Sequence, residues 1–293
     1  MQRLKGTFTA LVTPFNNGKV DYASLDRLLR HQLDAGIDGF VVNGTTAESP
    51  TLESEEVIKI FHHIRKYCGS QVPLILGTGS NSTKKTIEET KKAASLGADA
   101  ALVVVPYYNK PPQRGLYEHF KATASSTQIP IILYNVPGRT VTTLSVETIV
   151  KLSEIKNIVG IKEASGKIDF AEQIIKGCHK DFVMLSGDDE SYVEFLAVGG
   201  HGVISVASHI IPKQMIQWRH WAQSGQIERA RAEIQDYKNL INLLFVEANP
   251  IPVKKALALI GVLETADMRL PLVECSAEST EKLKIELKKV GLL

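Results

Sequence analysis

The chain has 293 residues, 44% of them hydrophobic and 23% charged, with a formal net charge of +2. That is globular composition with enough length for a large core, and the near-neutral charge argues against a nucleic-acid or anionic-membrane binder. No apolar run reaches a membrane span, the start MQRLKGTFTA has no signal-peptide core, and Cys68, Cys178 and Cys275 are far apart. These features predict a reduced, cytoplasmic protein without disulfides or a zinc site.

Along the chain, short runs rich in Val and Ile recur at 7–12, 39–42, 74–76, 101–105, 131–133, 159–161, 182–185 and 203–206. Each is too short for a helix and reads as a strand. Between them lie amphipathic stretches such as ASLDRLLRHQLDAG and STKKTIEETKKAASLG. Gly36, Gly97 and one of Gly199 or Gly200 suit the left-handed position that ends a helix. Pro73 and Pro130 stand at strand entries, where a missing N–H costs least. The runs are apolar throughout instead of alternating, which requires cover on both faces, as in a parallel sheet with helices outside. Eight such units predict an α/β fold, a closed (β/α)8 TIM barrel over residues 1–224. An open doubly wound sheet is the alternative, but no Gly-x-Gly-x-x-Gly follows the first strand. From residue 225 three helical segments follow without a strand, predicting a C-terminal helical domain over 225–293.

In such a barrel the chemistry belongs at the C-terminal ends of the strands. Lys162, in GIKEASGK, ends an apolar run. Either the strand stops at Ile161 and the lysine reaches water, or a buried amine is held there to react. A nucleophilic amine must be neutral, and an apolar barrel mouth favours that form by desolvation. Strand alternation turns Glu163 to the other side. Tyr134, Tyr107 and Tyr108 offer phenols for proton transfer, or are packed aromatics. Thr45 and Thr46, in NGTTAES, present hydroxyls and successive N–H groups that suit a small carboxylate; the alternative is a turn capping the helix from residue 53. Arg139 is a bidentate carboxylate binder or a solvated loop residue. The eight histidines show no metal-ligand spacing, Asp188 and Asp189 lack a third ligand, and no phosphate loop is present, so metal-dependent chemistry is disfavoured.

GTTAES, PYYNKPPQRGLYEHF, YNVPGRT, GIKEASG, LSGDD, GGHGVISV and FVEANPIPVKKAL, in this order, resemble the dihydrodipicolinate synthase (4-hydroxy-tetrahydrodipicolinate synthase) family over essentially the whole chain. The resemblance implies a class I aldolase barrel that condenses pyruvate with L-aspartate 4-semialdehyde, without metal or cofactor. It implies Lys162 as the Schiff-base lysine, Tyr134 as the proton shuttle, and Thr45 as its link to Tyr108, contributed by a neighbouring subunit of a dimer or dimer of dimers. Thr46 matches a pyruvate-carboxylate binder, Gly187 and Ile204 match backbone positions of the pocket, and Arg139 matches the receiver of the semialdehyde carboxylate. Ala47 stands where the family usually has glycine, which costs about 1 kcal/mol if that backbone needs positive φ. At the allosteric lysine site Ser49, Asn81 and Tyr107 are kept, but Val57 and Lys85 replace a histidine and a glutamate. A cation in place of an acid repels a lysine ligand, so feedback inhibition is expected to be weak or absent. The competing readings are a sugar-acid aldolase on the same scaffold, such as an N-acetylneuraminate lyase, and a catalytically idle barrel that binds a small molecule.

Overall fold

The computed structural model describes residues 2–293. Strand β1 (Thr7–Ala10) is followed by the two-residue strands β2 (Phe15–Asn16) and β3 (Lys19–Val20), which form a small antiparallel hairpin, and by helix α1 (Tyr22–Asp34). Then come β4 (Gly39–Val42), α2 (Ser54–Cys68), β5 (Leu74–Gly77), α3 (Thr83–Ser95), β6 (Ala100–Val104), α4 (Gln113–Ser125) and β7 (Ile131–Asn135). The single-turn α5 (Pro137–Thr140), α6 (Val146–Ser153), β8 (Ile158–Glu163), α7 (Ile168–Gly177), β9 (Val183–Ser186), α8 (Tyr192–Ala197) and β10 (Gly202–Ser205) complete the alternation. Helices α9 (Pro212–Gln223), α10 (Ile227–Leu243), α11 (Ile251–Leu259) and α12 (Ala277–Lys289) follow without a strand.

Eight strands close into a parallel barrel in the order β1-β10-β9-β8-β7-β6-β5-β4. All eight apolar runs are therefore strands, and the open-sheet alternative is excluded. The closed topology explains the missing polar alternation: β1, β4, β7, β8, β9 and β10 are buried at every position. Helix starts follow their capping residues, with the side chains of Asp21, Ser82 and Ser145 accepting from N–H groups of the first turn. Gly36 and Gly97 adopt φ of +85° and +77° just past α1 and α3. At the third boundary Gly199 takes the left-handed role (φ +105°), while a Cβ on Gly200 would stand 2.2 Å from the Phe195 ring.

Contacts divide the chain into two compact units. One comprises the segment up to Gly6 with Pro73–Ile204, the other Thr7–Val72 with Ser205–Leu293. The first is built on β5 to β9 with most of β10, under α3 to α8. The second joins β1, β4, α1 and α2 to α9–α12, and a buried polar chain runs through it. The Thr9 hydroxyl donates to Gln32 Oε1 (2.5 Å), and Gln32 Nε2 donates to the Ser208 carbonyl (2.9 Å). His209 is fully buried; its Nε2 accepts the Val12 N–H (3.1 Å), and its Nδ1 lies 2.8 Å from the Val206 carbonyl. This pattern holds the ring in its neutral tautomer, and burial pushes its pKa down to about 4. Among the described residues no helix is long and apolar enough to cross a membrane.

Candidate active site

In the first unit Lys162 lies inside β8, so the strand does not stop at Ile161. Its register partner on β7 is Tyr134, and the next pair is Asn135 with Glu163. In-register neighbours on adjacent parallel strands share a face, so Lys162 and Tyr134 point together. The Lys162 Nζ is 4.4 Å from the Tyr134 ring centroid, and each residue is only 7% exposed. Glu163 makes no ion pair with Lys162 among the described residues. Its carboxylate accepts from Asn135 Nδ2 (3.2 Å) and from the Ser165 N–H (2.9 Å). Burial pushes the Glu163 carboxyl above its ordinary pKa, against those hydrogen bonds. Asn135 Oδ1 in turn accepts the Leu144 N–H (3.0 Å), which ties down the segment after Arg139.

Gly187 follows β9, and its N–H donates to the Glu163 carbonyl (2.7 Å). A Cβ there would come within 2.7 Å of Lys162 Cε and 2.6 Å of Ala164 Cβ. The lysine stem thus occupies the volume that a side chain at 187 would need. Ile204 is buried in β10. Arg139 stands exposed in the turn α5, its side chain in no ion pair among the described residues. Tyr108, past the end of β6, is 88% exposed with φ +73°, and Tyr107 is 41% exposed. The Asn81 carbonyl accepts from Asn109 Nδ2 (2.9 Å), and Lys85 is exposed in the first turn of α3.

In the second unit β4 runs into a 3₁₀ turn, Thr45–Ala47, with Thr45 half-buried and Thr46 buried. This turn is not the cap of α2. A second turn, Ser49–Thr51, intervenes, and at the helix start the Glu53 N–H donates to the Glu56 carboxylate (3.0 Å). Ser49 and Val57 are both half-buried. Ala47 lies outside the left-handed region, so alanine carries no backbone penalty there; the left-handed residue is its neighbour Glu48, φ +57°.

Residues beyond those read from the motifs hold this turn in place. Thr13 Oγ1 donates to the Ala47 carbonyl (2.8 Å), and Asn249 Nδ2 donates to Thr46 Oγ1 (2.9 Å). The Glu48 carboxylate accepts from Lys254 Nζ (2.7 Å) and from the Arg269 N–H (3.0 Å), with both Glu48 and Lys254 side chains fully buried. Lys254 also donates to the Asp267 carbonyl (2.5 Å) and lies 4.4 Å from the Phe15 ring centroid. Burial lowers the pKa of Lys254, opposed by Glu48. Asn249 and Lys254 both occur in FVEANPIPVKKAL, but periodicity does not separate Lys254 from the adjacent Lys255.

An amine and a phenol lie buried side by side on adjacent strands of a closed parallel barrel, an arrangement that Schiff-base chemistry of the class I aldolase type can use. The chain belongs to the dihydrodipicolinate synthetase family, whose model matches residues 3–290. It is 68% identical over 293 residues, all of both chains, to the 4-hydroxy-tetrahydrodipicolinate synthase of Bdellovibrio bacteriovorus. Its structure is similar to that of dihydrodipicolinate synthase from Thermotoga maritima, with a TM-score of 0.97 and 43% identity, covering 99% of each chain. A TM-score of 0.96 at 43% identity relates it to the chloride-inhibited dihydrodipicolinate synthase of Acinetobacter baumannii complexed with pyruvate, covering 99% of this chain and 100% of that one.

Proposed function

We propose that this chain is a 4-hydroxy-tetrahydrodipicolinate synthase that condenses pyruvate with L-aspartate 4-semialdehyde. Lys162 Nζ adds to the pyruvate ketone; the carbinolamine loses water to an iminium, and loss of a methyl proton gives the enamine. The enamine carbon bonds to the aldehyde carbon, whose oxygen takes up a proton. The semialdehyde's own amine then displaces Lys162 and closes the ring. Every step moves a proton between poor acids, which is the work of Tyr134 beside the amine, relayed through Thr45 to Tyr108. The iminium withdraws the electrons that a metal ion would otherwise have to withdraw, so the reaction asks for no cofactor. Thr46 receives the pyruvate carboxylate, with backbone of Gly187 and Ile204 lining the pocket, and Arg139 receives the carboxylate of the semialdehyde.

The observation that carries this reading is the in-register pair Lys162 and Tyr134, Nζ 4.4 Å from the ring centroid. Borohydride reduction with pyruvate should leave a mass adduct on Lys162; folded protein without an adduct at saturating pyruvate would favour an idle barrel. Product assays with different aldehydes separate the synthase from a sugar-acid aldolase. The exposed guanidinium of Arg139 suits a short charged acceptor, whereas sugar acids need partners for their hydroxyls.

The proposal extends to a homo-oligomer, a dimer of dimers, in which Tyr108 crosses to a second copy. Tyr108, 88% exposed with φ +73°, projects its ring into solvent past the end of β6, where a second copy can receive it. The half-buried thiols Cys68, Cys178 and Cys275 suit the reducing cytoplasm.

A further inference from the structure

A threonine hydroxyl has one proton to donate and lone pairs to accept with, so its partners decide which it offers to a ligand. Thr46 Oγ1 accepts from Asn249 Nδ2 at 2.9 Å, with Thr46 3% and Asn249 6% exposed. With that lone pair engaged by an amide donor, the hydroxyl proton is left to point elsewhere. A carboxylate ligand accepts and cannot donate, so this is the polarity it needs.

We infer that Asn249 is a positioning residue that sets the Thr46 hydroxyl as a donor toward the pyruvate carboxylate. The inference rests on the carboxylate-binding role proposed above for Thr46. The scaffold for it is local and buried. Lys254, one turn into the helix after Asn249, ion-pairs with Glu48 two residues after Thr46, and the Arg269 N–H takes the other Glu48 oxygen. These contacts keep the 249–269 segment against the turn, so the amide of Asn249 cannot drift from the hydroxyl. Lys254, with its ammonium shared between Glu48, the Asp267 carbonyl and the Phe15 ring, serves this frame and is not a second Schiff-base amine.

The test compares Asn249→Ala with the nearly isosteric Asn249→Asp. Alanine removes one neutral hydrogen bond and should raise the pyruvate concentration for half-maximal Lys162 adduct by about three- to tenfold. Aspartate draws the Thr46 proton to itself and adds a like charge, and should raise that concentration by about a hundredfold or more. Both variants should reach the wild-type adduct yield at saturating pyruvate, with wild-type half-saturation for the semialdehyde. In a Thr46→Val background the difference between Asn and Asp at 249 should shrink to within about threefold. An Asn249→Asp protein that binds pyruvate as tightly as the wild type, or an Asp effect undiminished by Thr46→Val, overturns the inference. No adduct on the wild-type protein would instead refute the Schiff-base reading itself. Circular dichroism and the unfolding midpoint establish that each variant is folded; if Asn249→Asp is not, the Asn249→Ala and Thr46→Val cycle decides alone.

Discussion

Gly187→Ala is the substitution on which the geometry around Lys162, the proposed nucleophile, can be judged most directly. The backbone at 187 is not in the left-handed region, so alanine brings no torsional penalty, only a methyl group. That methyl would lie 2.7 Å from Lys162 Cε, 3.0 Å from Lys162 Cγ and 2.6 Å from Ala164 Cβ. Carbon atoms pack at about 3.5–4.0 Å, so the lysine stem or the loop must retreat by about 1 Å. Overpacking of this kind costs about 1–3 kcal/mol of stability. For a chain of this size that lowers the melting temperature by several degrees, leaving the protein folded at 25 °C. Displacing a nucleophile by about 1 Å costs about 100-fold in rate. Rapid-quench borohydride trapping should therefore show Lys162 adduct forming about 100-fold more slowly, with circular dichroism unchanged. Adduct formation within threefold of wild type would refute the claim that the missing side chain at 187 makes room for the lysine.

Lys254→Met leaves the fully buried Glu48 carboxylate without its cation and should cost about 3–5 kcal/mol in urea unfolding; Glu48→Gln with Lys254→Met should recover much of that. His209 should make the protein acid-sensitive. Its folded pKa of about 4 lies below the unfolded value near 6.5, so stability is full above pH 6.5 and falls as the unfolded chain takes up the proton between 6.5 and 4. The loss, about 3 kcal/mol by pH 4, is read from unfolding at several pH values, and a flat profile would contradict it. Lysine should inhibit weakly or not at all if, as the family resemblance implies, Lys85 stands where lysine-inhibited members carry an acid, since a cation there repels an ammonium ligand; sub-millimolar inhibition in the coupled assay would overturn this.

Much of this protein is legible in the chain alone. Eight Val- and Ile-rich runs separated by capped amphipathic stretches call for a parallel sheet covered by helices on both faces, with eight units favouring a closed barrel over an open sheet; the strand pairing then establishes the closure. The strand-end motifs make Lys162, Tyr134, Thr45, Thr46 and Arg139 candidates, each with an ordinary structural alternative, and only their occurrence together in the motif order of one family singles them out. Only the tertiary structure decided the pairings. Register, a property of two strands, sets Tyr134 beside Lys162 and Asn135 beside Glu163. Gly187 stands out in the sequence only by resemblance, as a backbone position of the pocket; that a side chain there would collide with a lysine twenty-five positions earlier is visible only in the structure. Asn249, Lys254 and Glu48 escaped the motif reading for the same reason. A buried polar group is defined by the partner that satisfies it, and theirs lie about two hundred residues away. Local patterning encodes which face of an element is apolar; the hydrogen-bond and charge complementarity that shapes a site exists only once distant segments meet.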